Sequence, residues 1–137
     1  MSKHETWRTR KYWDSVGGLL IEEFRAVKES KIPNQENRYM DAVIVLNEPR
    51  KIHNQNTYNL FDKDIIVVQT KKDRIGMHLL GQAYFSKFLL EKFKPRSIKT
   101  VAICGQNDAI MAELALEHGV EIVVIPECEN PDKNSER

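Results

Sequence analysis

Four consecutive β-branched residues, Ile65 to Val68, constrain the fold most, because such a run is typical of a strand buried inside a sheet. The run ends on Gln69-Thr70-Lys71. Side chains alternate across a strand, so Gln69 and Lys71 project from the same face, beyond its apolar part. α/β proteins commonly carry their chemistry at such a strand end.

The remaining patterns predict an α/β fold, a mixed sheet with helices on both faces. The element order is α-β-β-β-α-β-α-β, with antiparallel strands first and right-handed crossovers at the end. Residues 19–27 fit a helix or a strand, and the preceding Gly pair favours a strand. Residues 48–63 read as a long polar connection. The predicted elements are a helix over 3–15, strands over 19–27, 39–47 and 64–71, a helix between Gly76 and Pro95, and a β-α-β unit ending near 126.

The two predicted helices that follow Gly76 have a recognisable face or recognisable ends. In the helix between Gly76 and Pro95, the residues Leu79, Ala83, Ser86 and Leu90 recur at helical spacing and predict its buried face. The second should begin near Asp108 and end at Gly119. We therefore expect one domain over residues 1–126 and a polar, flexible tail over 127–137.

Composition limits the class of protein. The 137 residues contain 41% hydrophobic side chains and no apolar stretch approaching the ~20 residues that cross a bilayer, so no membrane partner is expected. The polar N-terminus does not resemble a signal peptide. With only Cys104 and Cys128, the sequence favours free thiols in a reducing cytoplasm over a disulfide.

The charge is divided unevenly along the chain. Residues 1–100 contain 19 Lys and Arg against 12 Asp and Glu, a balance of +7, whereas residues 101–137 contain 2 against 8, a balance of −6. This pattern fits a protein that binds a polyanion on one side, and equally an uneven surface charge without a partner.

Asp41 joins the polar pair at the end of the 64–71 strand. Consecutive strands are usually neighbours, so Asp41 and Gln69 are expected close together. A carboxylate and an amide oxygen are ligands suited to Mg²⁺, with water and a substrate phosphate completing the shell. Lys71 would orient or deprotonate a water, or stabilise charge on phosphorus.

The stretch YMDAVIVLN…DIIVVQTK, followed by a helix with LLGQAYFSKFLL, resembles the PD-(D/E)xK nuclease superfamily. This resemblance implies a restriction endonuclease-like αβββαβ core over about residues 5–105, with a C-terminal αβ extension. It implies that Asp41 is the motif Asp, that Gln69 stands at the second acidic position, and that Lys71 is the motif Lys. Met40 replaces the motif Pro, and Gln69 removes one negative charge from the site.

The same resemblance implies further site residues, Mg²⁺ as cofactor with Mn²⁺ as a substitute, and metal-dependent cleavage of DNA. Glu22 or Glu23 would be the additional upstream acid, and strand alternation leaves both open. Gln82 would be the helix Gln found in some members. A domain this small would act on duplex DNA as a homodimer or higher oligomer.

Basic side chains supply candidate DNA contacts. Lys72 and Arg74 follow the proposed catalytic lysine directly. Further candidates are Arg8, Arg10 and Lys11 in the first helix and Arg50 and Lys51 in the polar connection. The aromatics Trp7, Tyr12 and Trp13 would stack on bases or belong to the core.

Two alternatives remain open at the level of sequence. The chain would be a catalytically silent, nuclease-like DNA-binding protein if the Gln69 replacement abolishes activity. It would instead be a Rossmann-like small-ligand domain if the turn at residues 105–108 holds an anion. The four histidines lack metal-ligand spacing, so zinc is not expected.

Overall fold

The structure, a computed structural model, describes residues 3–28, 36–53 and 58–131, and it is an α/β fold with a six-stranded mixed sheet flanked by helices. The strands are β1 Leu19–Val27, β2 Arg38–Val45, β3 Lys51–His53, β4 Asp64–Thr70, β5 Ser97–Cys104 and β6 Val120–Val124, and the helices are α1 Lys3–Val16, α2 Met77–Leu90 and α3 Ala109–Glu117.

The strand order in the sheet is β3-β1-β2-β4-β5-β6. The pairs β1–β2 and β2–β4 are antiparallel, whereas β4, β5 and β6 are parallel to one another. The two parallel connections run through α2 and α3. The predicted mixed sheet is thereby confirmed, and the predicted order of elements is confirmed except for β3, which lies between β2 and β4.

One face of the sheet is covered by α1. The rings of Trp7, Tyr12 and Trp13 are buried there against β-strand residues such as Ala42 and Val68. These aromatics belong to the core, so the alternative of base stacking by them is wrong.

The opposite face is covered by α2 and α3. The buried residues of α2 include Leu79, Ala83, Ser86 and Leu90, which confirms the predicted face. The side chain of Asp108 accepts hydrogen bonds from the amides of Ile110 and Met111 at the start of α3. Gly119 follows the end of that helix with a φ of +74°, which a glycine adopts without strain.

The connection over residues 48–63 contains a strand that the sequence did not predict. β3 is three residues long and pairs in parallel with the start of β1, from Leu19↔Lys51 to Ile21↔His53. So short a segment carries no readable alternation, and its partner is about thirty residues away. Residues 54–57 of this connection lie outside the described residues.

Strand β1 departs from regular alternation at Glu23. Leu19, Ile21 and Phe24 all pack in one cluster, so the face changes between Ile21 and Phe24. Glu23 has a φ of +55°, in the left-handed region. Regular alternation along β1 therefore does not decide which of Glu22 and Glu23 faces the candidate site.

The remaining expectations concern the ends and the thiols. Cys104 is buried and Cys128 is exposed, and both are free thiols. The first residues of the expected tail form a 3₁₀ turn, Glu127–Glu129, and residues 132–137 lie outside the described part. Within the described ranges, no helix combines the length and apolar character needed to cross a membrane.

Candidate functional site

Asp41 and Gln69 lie on the neighbouring strands β2 and β4. The paired register of these strands ends at Ala42↔Val68. One residue further, Oδ2 of Asp41 accepts a hydrogen bond from the backbone nitrogen of Thr70 at 2.8 Å. The carboxylate therefore reaches the peptide group that joins Gln69 to Thr70, and this hydrogen bond continues the link between the strands.

Gln69 is held in place by α2 and β2. Its side-chain nitrogen Nε2 donates to Oγ of Ser86 at 2.8 Å and lies 3.5 Å from the sulfur of Met40. The Gln69 side chain is 6% exposed. Since Nε2 is engaged by α2, the amide oxygen Oε1 is the atom that would serve as a cation ligand.

Lys71 combines a fixed backbone with an exposed side chain. Its backbone nitrogen donates to the carbonyl of Ile103 at 2.9 Å, which extends the β4–β5 pairing past the strand end. The next residues continue alongside β5, since Gly105 N donates to Asp73 O at 2.9 Å. A Cβ on Gly105 would lie 2.0 Å from the carbonyl oxygen of Lys72, so this close approach requires glycine.

The oxygen ligands at this strand end are suited to Mg²⁺ rather than to a soft metal. Asp41 offers a carboxylate and Gln69 an amide oxygen, and Mg²⁺ commonly takes one or two carboxylates while retaining several waters. Among the described residues no group of three or more His, Cys, Asp or Glu side chains is arranged to hold a metal. A metal here would therefore depend on water and substrate oxygens for most of its shell.

The two glutamates of β1 are placed differently. Both oxygens of Glu22 accept hydrogen bonds from Arg10, at 2.9 and 3.0 Å, in an ion pair that also raises the pKa of Arg10. Glu22 is thus engaged by α1 and is not a free metal ligand. Glu23 is exposed at the irregular position of β1.

Arg8 is buried and bonded to the segment that follows β6. It is 1% exposed, and its Nε donates to the carbonyl of Ile125 at 2.8 Å while Nη2 pairs with Glu127 at 3.0 Å. The sequence did not reveal that Arg8 is buried, because a mixed aromatic and basic helix does not show which side it buries, and the DNA contact at Arg8 stays a prediction.

The other basic candidates are all exposed, but several are paired. Arg10 pairs with Glu22, Lys11 with Glu129 at 2.9 Å, and Arg50 with Asp14. The candidates that remain exposed and outside the ion pairs of the described residues are Lys51, Lys72 and Arg74. Lys72 and Arg74 adjoin Lys71.

At the turn over residues 105–108, the Gly105 amide and the first amides of α3 are engaged within the protein. Asp108 accepts from the two amides at the start of α3, Gly105 N donates to Asp73, and the carbonyl of Gln106 accepts from Ile75 N. An anion would have to displace the Asp108 carboxylate to reach the helix amides.

Ser86 is the site residue whose role the sequence did not reveal. Helical spacing predicts that Ser86 lies on the buried face of α2, but its hydrogen bond to Gln69 depends on how the helix lies on the sheet. A lone polar side chain on an apolar helix face was the available signal. Gln82 is exposed, and its backbone carbonyl accepts a hydrogen bond from the Ser86 hydroxyl.

Comparisons of the chain with protein-family models, curated proteins and solved structures found no match.

Proposed function

We propose that the protein is a Mg²⁺-dependent DNA endonuclease of the PD-(D/E)xK type, in its Q-x-K form, acting in the cytoplasm. The observation that carries the proposal is the hydrogen bond from the Thr70 amide to Asp41, because Thr70 is the residue between Gln69 and Lys71. A carboxylate, an amide oxygen and an ammonium at one strand end are suited to hydrolysis of a phosphodiester.

In this mechanism Asp41 and Gln69 would hold Mg²⁺ through their oxygens. When bound, the ion would neutralise phosphate charge and lower the pKa of a water molecule. The exposed ammonium of Lys71 would stabilise negative charge on the attacked phosphate and orient the water. The water oxygen would form a bond to phosphorus, the bond to the 3′-oxygen would break, and that oxygen would leave as a hydroxyl after taking up a proton.

Lys72 and Arg74 would contact neighbouring phosphates, because they follow Lys71 and are exposed. One domain offers one such site, so cutting both strands of a duplex would use a homo-oligomer with one site per strand.

A second candidate is a silent, nuclease-like DNA-binding protein. The observation that favours it is the hydrogen bond of Asp41 to the backbone, together with the uncharged Gln69, which leaves one carboxylate at the strand end. Under this alternative Asp41 links β2 to β4, and binding to DNA does not depend on metal.

A cleavage assay separates these two functions. The substrates are supercoiled plasmid, linear duplex, single strands and branched junctions, each with Mg²⁺, with Mn²⁺ and with EDTA. The endonuclease proposal expects metal-dependent cutting that is lost in Asp41→Asn and in Lys71→Met. Salt-sensitive binding without cutting would support the silent protein, and neither binding nor cutting would contradict both functions.

A further inference from the structure

A cleft of about 440 Å³ beside the end of α2 has a cationic and aromatic lining. Its charged side chains are Arg25, Lys28 and Lys92, and its partly exposed rings are Tyr58 and Phe93. No carboxylate occurs among the described residues that line it. The described lining of the cleft is thus cationic.

One lining residue of this cleft pairs with the strand that carries Asp41. Phe24, one of its lining residues, pairs with Met40 across β1 and β2. Met40 directly precedes Asp41, and its sulfur lies 3.5 Å from Nε2 of Gln69. The cleft lining is therefore linked through Phe24 and Met40 to the strands that carry Asp41 and Gln69.

The charge of the cleft is uncompensated at two positions. Arg25 and Lys92 form no ion pair with any residue in the described part of the chain. The ammonium of Lys92 lies 5.2 Å from the centre of the Phe93 ring, so charge and ring are presented side by side. Unpaired cations grouped without carboxylates attract phosphate.

The two rings are held by neighbouring side chains. Phe93 packs edge-on against Phe24 with ring centres 5.4 Å apart, and Tyr58 packs edge-on against His53 at the same distance. The hydroxyl of Tyr58 also donates to Glu48 at 3.3 Å. Rings fixed in this way offer stacking surface at a small cost in conformational entropy.

The size and chemistry of the cleft favour one unpaired nucleotide over duplex DNA. Its volume is typical of a site for a small molecule. Bases in a duplex keep their faces inside the stack, so protein rings reach only a base that is unpaired. Arg25 and Lys92 would then contact the phosphates on either side of that base.

We infer that the cleft binds an unpaired nucleotide of the DNA strand that is cut. This inference rests on the proposed endonuclease function and assigns its substrate class: single-stranded DNA, or branched or gapped DNA with unpaired residues, in preference to continuous duplex.

Binding of fluorescent oligonucleotides in EDTA tests the inference without catalysis. A single strand and a duplex of the same sequence are titrated at several salt concentrations. We expect the wild type to bind the single strand at least fivefold more tightly. The double variant Arg25→Gln/Lys92→Gln should lose at least fivefold of that affinity, and its salt slope should fall by about 1.4, since each contact to a single strand contributes about 0.7.

The ring and the matched control complete the design. Phe93→Leu keeps an apolar side chain against Phe24, so the fold is retained while stacking is lost; single-strand affinity should fall about fivefold or more with an unchanged salt slope. Lys87→Gln/Lys99→Gln removes the same charge outside the cleft and should change affinity less than twofold. Equal binding of duplex and single strand, or cleft variants that behave like this control, would overturn the inference.

The same proteins separate the inference from the proposed function. Cleft-dependent binding of single strands by a protein that never cuts would contradict the endonuclease and leave the nucleotide cleft in place. Cutting that requires Lys71 but is unchanged in the cleft variants would support the endonuclease function and contradict nucleotide binding by the cleft.

Discussion

The carboxylate of Asp41 lies 2.8 Å from the backbone nitrogen of Thr70, the residue between Gln69 and Lys71. This contact gives Asp41 a structural role beside its proposed role as a metal ligand, and substitution can separate the two. The backbone amide needs an oxygen acceptor, whereas a metal site needs the negative charge.

Asp41→Ala should lower the free energy of unfolding by about 1–3 kcal/mol, because it removes the acceptor for the amide of a buried residue. Asp41→Asn retains an oxygen acceptor and should stay within about 1 kcal/mol of the wild type. Both should lose metal-dependent cutting. Urea unfolding and the cleavage assay measure the two effects, and wild-type activity in Asp41→Asn would argue against a metal-binding carboxylate.

Gln69→Glu should make the protein more dependent on Mg²⁺. The side chain is 6% exposed, so a carboxylate there is destabilising until a cation binds it. We expect a lower melting temperature than the wild type in EDTA, a larger rise on adding Mg²⁺, and half-maximal cutting at a lower Mg²⁺ concentration. An equal Mg²⁺ response in both proteins would show that Gln69 does not face the ion.

Asp64 at the start of β4 should contribute stability that depends on pH. Hydrogen bonds from Arg96 and Ser97 lower its pKa from 3.8 to about 2. The folded state therefore favours the charged form, and the stabilisation is present above pH 3.8 and lost as the pH falls through about 2. The difference in unfolding free energy between wild type and Asp64→Asn should shrink between pH 5 and pH 2. A difference that stays constant over this range would contradict the prediction, and Asp73→Asn, an exposed carboxylate, is the control.

Two glycine substitutions should have opposite effects. Gly105→Ala places a Cβ 2.0 Å from the Lys72 carbonyl oxygen and should destabilise the fold and displace the segment that follows Lys71. Gly81→Ala, inside α2 with nothing within 4 Å of the added carbon, should stabilise by about 0.5–1 kcal/mol. The melting temperatures of the two variants check this. Similar shifts in both would contradict a close contact between Gly105 and the Lys72 carbonyl.

The sequence predicted the elements whose period is long enough to read. The β-branched run of β4 and the apolar spacing of α2 each identify an element and its buried face. β3 escaped prediction because three residues carry no period and its partner is remote in sequence. Glu23 escaped because a left-handed residue inside a strand reverses the alternation on which face assignments depend.

The candidate site was predictable where it follows from strand order. Asp41 and Gln69 belong to β2 and β4, which pair although the short β3 lies between them in the chain, and Asp41 bonds to the amide that follows Gln69. The bond from Gln69 to Ser86 and the burial of Arg8 were not predictable, because each depends on how a helix is rotated against the sheet. Amphipathic patterns locate that rotation poorly when cations and aromatics alternate, as they do in α1.

The most direct test of the account compares two lysine variants in metal-dependent cleavage. Lys71→Met removes the ammonium at the end of β4, and Lys87→Met removes the same charge from the exposed face of α2. If Lys71 is catalytic, the single-turnover rate should fall by at least a hundredfold in Lys71→Met with DNA binding nearly retained, and should stay within twofold of the wild type in Lys87→Met. Equal rates in all three proteins would contradict the assignment of catalysis to the end of β4.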